Sequence, residues 1–462
     1  MKGMEVGPDL LPLLPQLAVA ITAVVALMAD MARRPRIGLI LTIGGLLVAT
    51  ALAAARLGQV TTIFTGTYQI DPLSSWAVLI LAPVTALVAL LARPEVRGRD
   101  REGTIYSLFA FTTLGALVLA GAGDLLFLVL GVLLASLGSF ALVAFPHDER
   151  ATEAAMKYFV FSTVTGGVMI FGLTYWFGAT GSTLLADLPR LRGMPLPAAA
   201  GMTAVLIGLG YKAALAPLHF WAPDAYDGAP VAVAAFLSIV PKIGAIFALA
   251  QVARDLPVRI IDWPAAVAVL AVVSMTYGNL AALGQTNLVR LLAYSSIAQS
   301  GYFLLGVVGM GHGTLPIQAL VVFAAAYAAM NLGAFAVVAW VGRELAAYEG
   351  LGRAAPWTGA AMTIFLLSLV GVPPLAGFAG KLLLFGAAID AGYTWLAVAA
   401  ILNSVLSLAV YLRVVAPMYR STAGSAASRL AVSGPIFWVG GLALSGTVVL
   451  GVGVQILLAR IA

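Results

Sequence analysis

Three lysines stand out because of where they fall. Lys212, Lys242 and Lys381 each lie inside an apolar run, in Gly-Tyr-Lys-Ala-Ala (210–214), Val-Pro-Lys-Ile-Gly (240–244) and Ala-Gly-Lys-Leu-Leu (379–383). The chain has only five lysines against twenty arginines, so most of its lysines occupy positions where charge is costly. A cation at the centre of a lipid layer costs at least about 2.5–3.5 kcal/mol. The residue type matters here. Arginine keeps its proton in any protein environment, whereas an amine taken out of water can release one. A set of such amines suits stepwise proton transfer; the structural alternative for each is to snorkel toward a headgroup layer or to pair internally. His219 follows Lys212 by seven residues, nearly the same face of an unbroken helix. Its intrinsic pKa of about 6.5 suits a relay, and its ring equally suits a hydrogen bond to a carbonyl freed by Pro217.

Asn279, Ser295, Ser296, Gln299, Asn331 and Asn403 also fall in apolar segments. Such groups hold a water wire or bridge helices. His312, in Gly-Met-Gly-His-Gly (309–313), reads as a loop residue. Those glycines follow a long apolar run rather than a strand, so they are no dinucleotide fingerprint. There is no nucleotide loop, metal-ligand spacing or nucleophile elbow. With no cysteine, disulfides, iron–sulfur clusters and thiolate metal sites are excluded within this chain.

The elements that hold these residues must be membrane helices. Of the 462 residues, 62% are hydrophobic and 10% charged, whereas a soluble domain carries roughly 25% charged residues. A span needs roughly 20 apolar residues, and about fourteen fit, near 10–30, 37–55, 72–92, 103–121, 124–145, 156–178, 199–220, 229–253, 263–284, 291–309, 314–342, 357–390, 394–418 and 432–459. No strand alternation is visible. Backbone in lipid must satisfy its own polar groups, so the expected fold is an all-α membrane protein, a single polytopic domain over 1–462. Two spans are interrupted, one by Ala-Pro-Leu-His-Phe-Trp-Ala-Pro-Asp (216–224) and one by Gly-Val-Pro-Pro-Leu-Ala-Gly-Phe (371–378). Each interruption frees backbone carbonyls inside the membrane. The interrupted span is the fourth in each of two five-span groups, 103–253 and 263–418. An odd number of spans inverts the second group, which predicts two inverted repeats of the kind transporters use; isolated proline kinks are the alternative.

Cations predict the orientation. Alternating loops place Arg33, Arg34, Arg36, Arg93, Arg97, Arg99, Arg101, Arg150, Lys157, Arg290, Arg343, Arg353, Arg413, Arg420 and Arg429 on one side, and Lys2, Arg56, Arg190, Arg192, Arg254, Arg259 and Arg460 on the other. The richer side is expected to be cytoplasmic, with both termini outside. The net charge of +6 arises from these short clusters. It therefore reads as membrane topology and not as a nucleic-acid surface. Glu5 and Asp9 precede the first apolar run, unlike a cleavable signal peptide.

The segment Gly-Tyr-Lys-Ala-Ala-Leu-Ala-Pro-Leu-His-Phe-Trp-Ala-Pro-Asp-Ala-Tyr-Asp-Gly-Ala-Pro (210–230) resembles the antiporter-like membrane subunits of respiratory complex I. Glu-Ala-Ala-Met-Lys-Tyr-Phe (153–159), Ser-Ile-Val-Pro-Lys-Ile-Gly (238–244), Gly-Asn-Leu-Ala-Ala-Leu-Gly-Gln-Thr-Asn (278–287), Arg-Leu-Leu-Ala-Tyr-Ser-Ser-Ile-Ala-Gln (290–299) and Leu-Ser-Leu-Val-Gly-Val-Pro-Pro-Leu-Ala-Gly-Phe-Ala-Gly-Lys (367–381) are similar to the N subunit in particular. The resemblance runs from about residue 70 to 415. It implies a proton-translocating subunit of an NADH–quinone oxidoreductase in a cell inner or plasma membrane, with fourteen helices and inverted five-helix repeats. It also implies that the family's channel lysines correspond to Lys212, Lys242 and Lys381. The other membrane-arm subunits and lipid would then be its partners, with NADH, FMN, iron–sulfur clusters and quinone handled in other subunits.

One position departs from the family. The fifth helix there usually carries a glutamate in a Leu-Gly-x-Glu-Leu-Leu string, paired with the first broken-helix lysine. Here the string reads Leu130-Gly131-Val132-Leu133-Leu134-Ala135-Ser136, so Leu133 takes the acidic position. Asp124 lies about 13.5 Å away along the helix and about half a turn around it. None of the 19 acidic residues falls in the middle of a span. Ser136 and Ser139 can hydrate the site but supply no charge. Gln299 also departs, since a histidine is frequent there. Two other functions fit these residues: a non-conducting structural subunit of the membrane arm, or a subunit of a related cation/proton antiporter or membrane-bound hydrogenase complex.

Overall fold

The computed structural model describes residues 10–420 and 434–461; Lys2, Glu5, Asp9 and Arg429, which entered the charge and leader readings, lie outside them. The chain begins with α1 (Leu14–Met31), α2 (Pro35–Ala54), α3 (Pro72–Val96), α4 (Glu102–Ala120), α5 (Leu125–Val143) and α6 (Glu149–Thr180). Next come α7 (Pro195–Lys212) and α8 (Trp221–Gly228), separated by 213–220, and then α9 (Val231–Asp255), α10 (Trp263–Leu283), α11 (Leu288–Val308) and α12 (Leu315–Val341). The short α13 (Leu351–Ala354) precedes α14 (Pro356–Val370) and α15 (Ala376–Asp390), which flank the second break. The chain closes with α16 (Thr394–Arg420), α17 (Gly434–Val452) and α18 (Val454–Ile461).

Among the described residues, twelve helices are long and apolar enough to cross a membrane. The pairs α7/α8 and α14/α15 supply two further, broken crossings, which gives the fourteen expected. Polar starts fix several helix ends. Asp71 and Ser74 form a reciprocal cap on α3, Asp124 accepts from Phe127 N on α5 and Asp148 from Ala151 N on α6, and Asn287 caps α11. Each satisfies amides that the first turn leaves without partners.

α9 is the axis of the bundle: every residue from Val231 to Ala253 is buried. It packs against α3, α4, α7, α8, α11 and α12. The outer helices instead present apolar side chains outward, such as Leu126 and Leu137 on α5 and Phe171 on α6. That is the arrangement lipid requires. Close approach decides two glycines. A Cβ on Gly115 of α4 would run into the Ala135 backbone of α5, and one on Gly278 of α10 would run into Ala298 of α11.

Three expectations change in detail. The connection from α2 to α3 holds two paired strands, β1 (Thr61–Ile63) and β2 (Tyr68–Ile70). Strands of three residues are too short to show an alternating pattern. α6 begins at Glu149, well before 156, because its first turns are polar and give no hydropathy signal. The last run, 432–459, divides into α17 and α18.

Candidate functional site: a buried polar axis

Lys212 ends α7, where the first break begins. Its Nζ donates to Ser136 Oγ on α5 at 3.0 Å and to Tyr158 Oη on α6 at 2.8 Å. Tyr158 stacks on Trp221, with ring centroids 4.1 Å apart. Trp221 in turn donates its indole N–H to the Tyr211 carbonyl at 2.8 Å, so the first residue of α8 clamps the end of α7. Among the described residues no carboxylate pairs with Lys212. Leu133 is half exposed and lines, with Ser136, an apolar groove between α5 and α6.

The carbonyls freed at this break are used. Ser300 on α11 donates to the Ala213 carbonyl at 2.7 Å or to its own Ser296 carbonyl at 2.9 Å; one hydroxyl hydrogen alternates between them. Ser274 Oγ accepts from Ala216 N at 3.0 Å. Lys242, wholly enclosed in α9, donates to the Ser296 carbonyl and to Ser296 Oγ, both at 2.9 Å. Nearby, Tyr226 Oη is 3.4 Å from Ser296 Oγ. Asn331 and Tyr327 on α12 bond the Ser238 hydroxyl and carbonyl, one turn before Lys242.

The second break is held in a matching way. Lys381 in α15 reaches back across 371–375 and donates to the Leu369 and Val370 carbonyls, both at 2.9 Å. A further contact goes to Ser404 Oγ on α16 at 3.3 Å. The amine sits 3.9 Å from the centroid of the Tyr302 ring, a cation–π contact. Gln299 donates to the same Leu369 carbonyl at 3.1 Å, while its own Oε1 has no protein partner. Beyond Ser404, the Asn403 side chain meets Asn279 and Thr276 of α10. Ser295 Oγ and Tyr411 Oη lie 2.6 Å apart.

All three lysines are buried, none reaches the bundle surface, and α11 connects them. Through Ser300 it meets the break after Lys212, through Ser296 it holds Lys242, and through Gln299 it shares a carbonyl with Lys381. His219 stays apart. Its ring packs on Tyr277 at 4.4 Å and its Nδ1 is buried without a protein partner. The chain turns immediately after Lys212, so the seven-residue helical relation does not survive, and the two share no hydrogen-bond partner. His312 lies exposed in the loop after α11.

At the arginine-rich end, ionised groups surround α8. Asp227 pairs with Arg150 and accepts from Asn287 at 3.1 Å, with Arg290 and Arg343 at 3.7 Å. Asp224 pairs with Lys157 at 3.1 Å and Arg290 at 3.0 Å. Arg343 also donates to the Asp227 and Ala229 carbonyls. Burial lowers its pKa from the ordinary arginine value, against the opposing charges of Glu95 and Asp227. Glu95 accepts from Val231 N and Ala232 N, holding the start of α9. These groups fix α8 and the start of α9. Among the described residues no His, Cys, Asp and Glu cluster is arranged to hold a metal ion.

Over residues 122–407 the sequence matches the family described as "NADH:quinone oxidoreductase/Mrp antiporter, TM". It is 41% identical to NADH-quinone oxidoreductase subunit N 1 of Streptomyces griseus subsp. griseus, across 99% of this chain and 98% of that protein. It is 35% identical to F(420)H(2) dehydrogenase subunit N of Methanosarcina mazei, across 96% of each. Among solved structures, it superposes with a TM-score of 0.84 and 31% identity on a chain of respiratory complex I from Thermus thermophilus with bound aureothin, covering 96% of this chain and 99% of that one. With this coverage at both ends and the match across both broken helices, the chain belongs to the NADH:quinone oxidoreductase/Mrp antiporter membrane family.

Proposed function

We propose that this chain is a proton-translocating membrane subunit of an NADH–quinone oxidoreductase, moving protons along Lys212, Lys242 and Lys381. The observation that carries this reading is that one helix, α11, bonds the backbone next to Lys212, the amine of Lys242 and the carbonyl that Lys381 also uses. Several links between them end on backbone carbonyls, which accept but do not carry protons. Water therefore completes the path, and Ser136, Ser296, Ser300 and Ser404 are the hydroxyls placed to hold it. His219, with a free ring nitrogen, is a side branch at the first break.

The two five-helix groups, 103–253 and 263–418, are read as inverted repeats. Support comes from a constant separation of 163 residues between matching features: caps Asp124 and Asn287, glycines Gly115 and Gly278, and their contacts Ala135 and Ala298. Asp124 bridges to Leu184, and Asn287 bridges to Glu344 from the opposite end of the bundle. The arginine-rich end is taken as cytoplasmic, with both termini outside an inner or plasma membrane. NADH, FMN, iron–sulfur clusters and quinone are assigned to partner subunits. Their redox energy reaches this chain through packing and charge.

A second reading, that the first site is structural and does not conduct, is favoured by one observation: Lys212 bonds hydroxyls where a carboxylate would tune its charge. Proton-to-electron ratios in vesicles carrying the complex with Lys242→Ala or Lys381→Ala test the conducting reading. Lower ratios at intact assembly support it. Wild-type ratios in both variants refute it.

A further inference from the structure

An apolar groove of about 440 Å³ runs between α12, α14 and α17, outside the lysine axis. Trp340, Trp357, Phe365, Gly440, Gly441 and Leu444 are among its walls, and it lies within the size range of ligand pockets. From Trp357 to Phe365 it descends eight residues of α14, about 12 Å. Its depth therefore lies within one leaflet. Trp357, 89% exposed, marks its shallow end, where tryptophan is favoured at headgroup level. Exposed Arg353 lies one turn before Trp357, and Gly352 lies against Tyr419, the neighbour of Arg420. The groove thus has an apolar shaft and a cationic mouth. Its floor is formed by Gly440 and Gly441, where an added Cβ meets nothing within 4 Å.

We propose that this groove is a binding site for one anionic phospholipid, its acyl chain along Gly440–Leu444 and its phosphate at Arg353 and Arg420. The two parts of the groove match the two parts of that molecule. The shaft is apolar apart from Thr358 and the indole N–H of Trp340, which has no protein partner. Arg353 and Arg420 bring two cations to the mouth, with exposed Glu349 four residues before Arg353. The site does not depend on how protons move.

The test uses the intact membrane complex in vesicles of phosphatidylcholine with a photoreactive acyl-chain phosphatidylglycerol as the probe. Crosslinks concentrated on Gly440–Leu444 and Phe365 are expected, well above those on Leu126 and Leu137 of the outer face of α5. Gly441→Phe, which fills open space, abolishes them, and Gly440→Leu provides a second filling variant should the first fail to assemble. Arg353→Ala lowers the preference for phosphatidylglycerol over a zwitterionic photoprobe about five-fold. Equal labelling on α5 and in the groove, crosslinks from the groove to another protein chain, or unchanged labelling in both filled variants overturns the proposal. Each of these outcomes is read without measuring pumping, so it is distinct from failure of the proton-relay reading.

Discussion

Gln299 and Lys381 donate to the same carbonyl, that of Leu369, at 3.1 and 2.9 Å. The second break exists to expose that oxygen: in an unbroken helix it would accept an amide four residues on. Lys381 is thereby anchored to the end of α14, although it belongs to α15. α11 joins the same point through Gln299. Any motion of α11 relative to the break is felt by the amine, which is a physical route for coupling.

Ser296 is the side chain closest to the role of a proton partner for Lys242. Ser296→Ala keeps the carbonyl contact and removes the hydroxyl. A hydrogen bond to a charged group contributes roughly 1.5–3 kcal/mol, so proton transfer through this chain is expected to slow about ten-fold or more. Pumping rate per quinone reduced, at equal complex content, measures this; an unchanged rate removes Ser296 from the path.

Leu133 faces the groove one helical turn before Ser136, which holds Lys212. Leu133→Glu brings a carboxylate toward that amine and is expected to change the pumping rate. In a Lys212→Ala background the same substitution is expected to do nothing further, because the interacting partner is gone. Equal effects of Leu133→Glu in both backgrounds would show that the two positions do not communicate.

Asp227 lies among Arg150, Arg290 and Arg343, with its side chain 8% exposed. Asp227→Asn leaves three cations facing one another around α8. These partners are partly solvated, so the expected destabilisation is roughly 1–3 kcal/mol, between exposed and buried pairs. Thermal denaturation of the purified complex reports it as a lower midpoint, with loosened α8 detected by faster proteolysis near 221–230. A wild-type midpoint would argue against a clamping role.

Much of this arrangement was legible in the sequence. The fourteen crossings, both breaks and the three lysines follow from hydropathy, proline and the scarcity of lysine. The partners of those lysines follow only in part: Ser136 and Ser296 stand out as polar residues, but their pairing with particular amines does not follow from spacing. Ser136 is 76 positions from Lys212, and Ser296 is 54 from Lys242. A serine within an apolar helix commonly bonds its own backbone, and Ser296 does that too, to Ala293. Tyr158, Ser300, Tyr302 and Ser404 carried no signal of their own, since only packing decides which face of each helix meets the axis. Gln299 was visible as a polar residue in an apolar segment and as a departure from a family pattern, but its bond to the Leu369 carbonyl was not. His219 was placed by a helical period that ends one residue after Lys212.

Gly115 and Gly278 set the spacing of α4 to α5 and of α10 to α11. Gly115→Val or Gly278→Val pushes a side chain into backbone, an overpacking cost of about 1–3 kcal/mol. Each is expected to lower the yield of assembled complex and its melting midpoint by similar amounts, as matching positions of two repeats would. Strongly unequal effects would weaken the case for the repeat.

On the proposed path Lys242 works by giving up a proton and not by being charged. Lys242→Arg keeps a cation able to donate to the Ser296 carbonyl and hydroxyl, yet arginine does not deprotonate in proteins. The direct measurement is proton uptake per NADH oxidised in sealed vesicles containing Lys242→Arg complex of normal assembly. A fall in that ratio, with NADH–quinone electron transfer retained in detergent, is the predicted result. A ratio equal to that of the wild type would contradict the account.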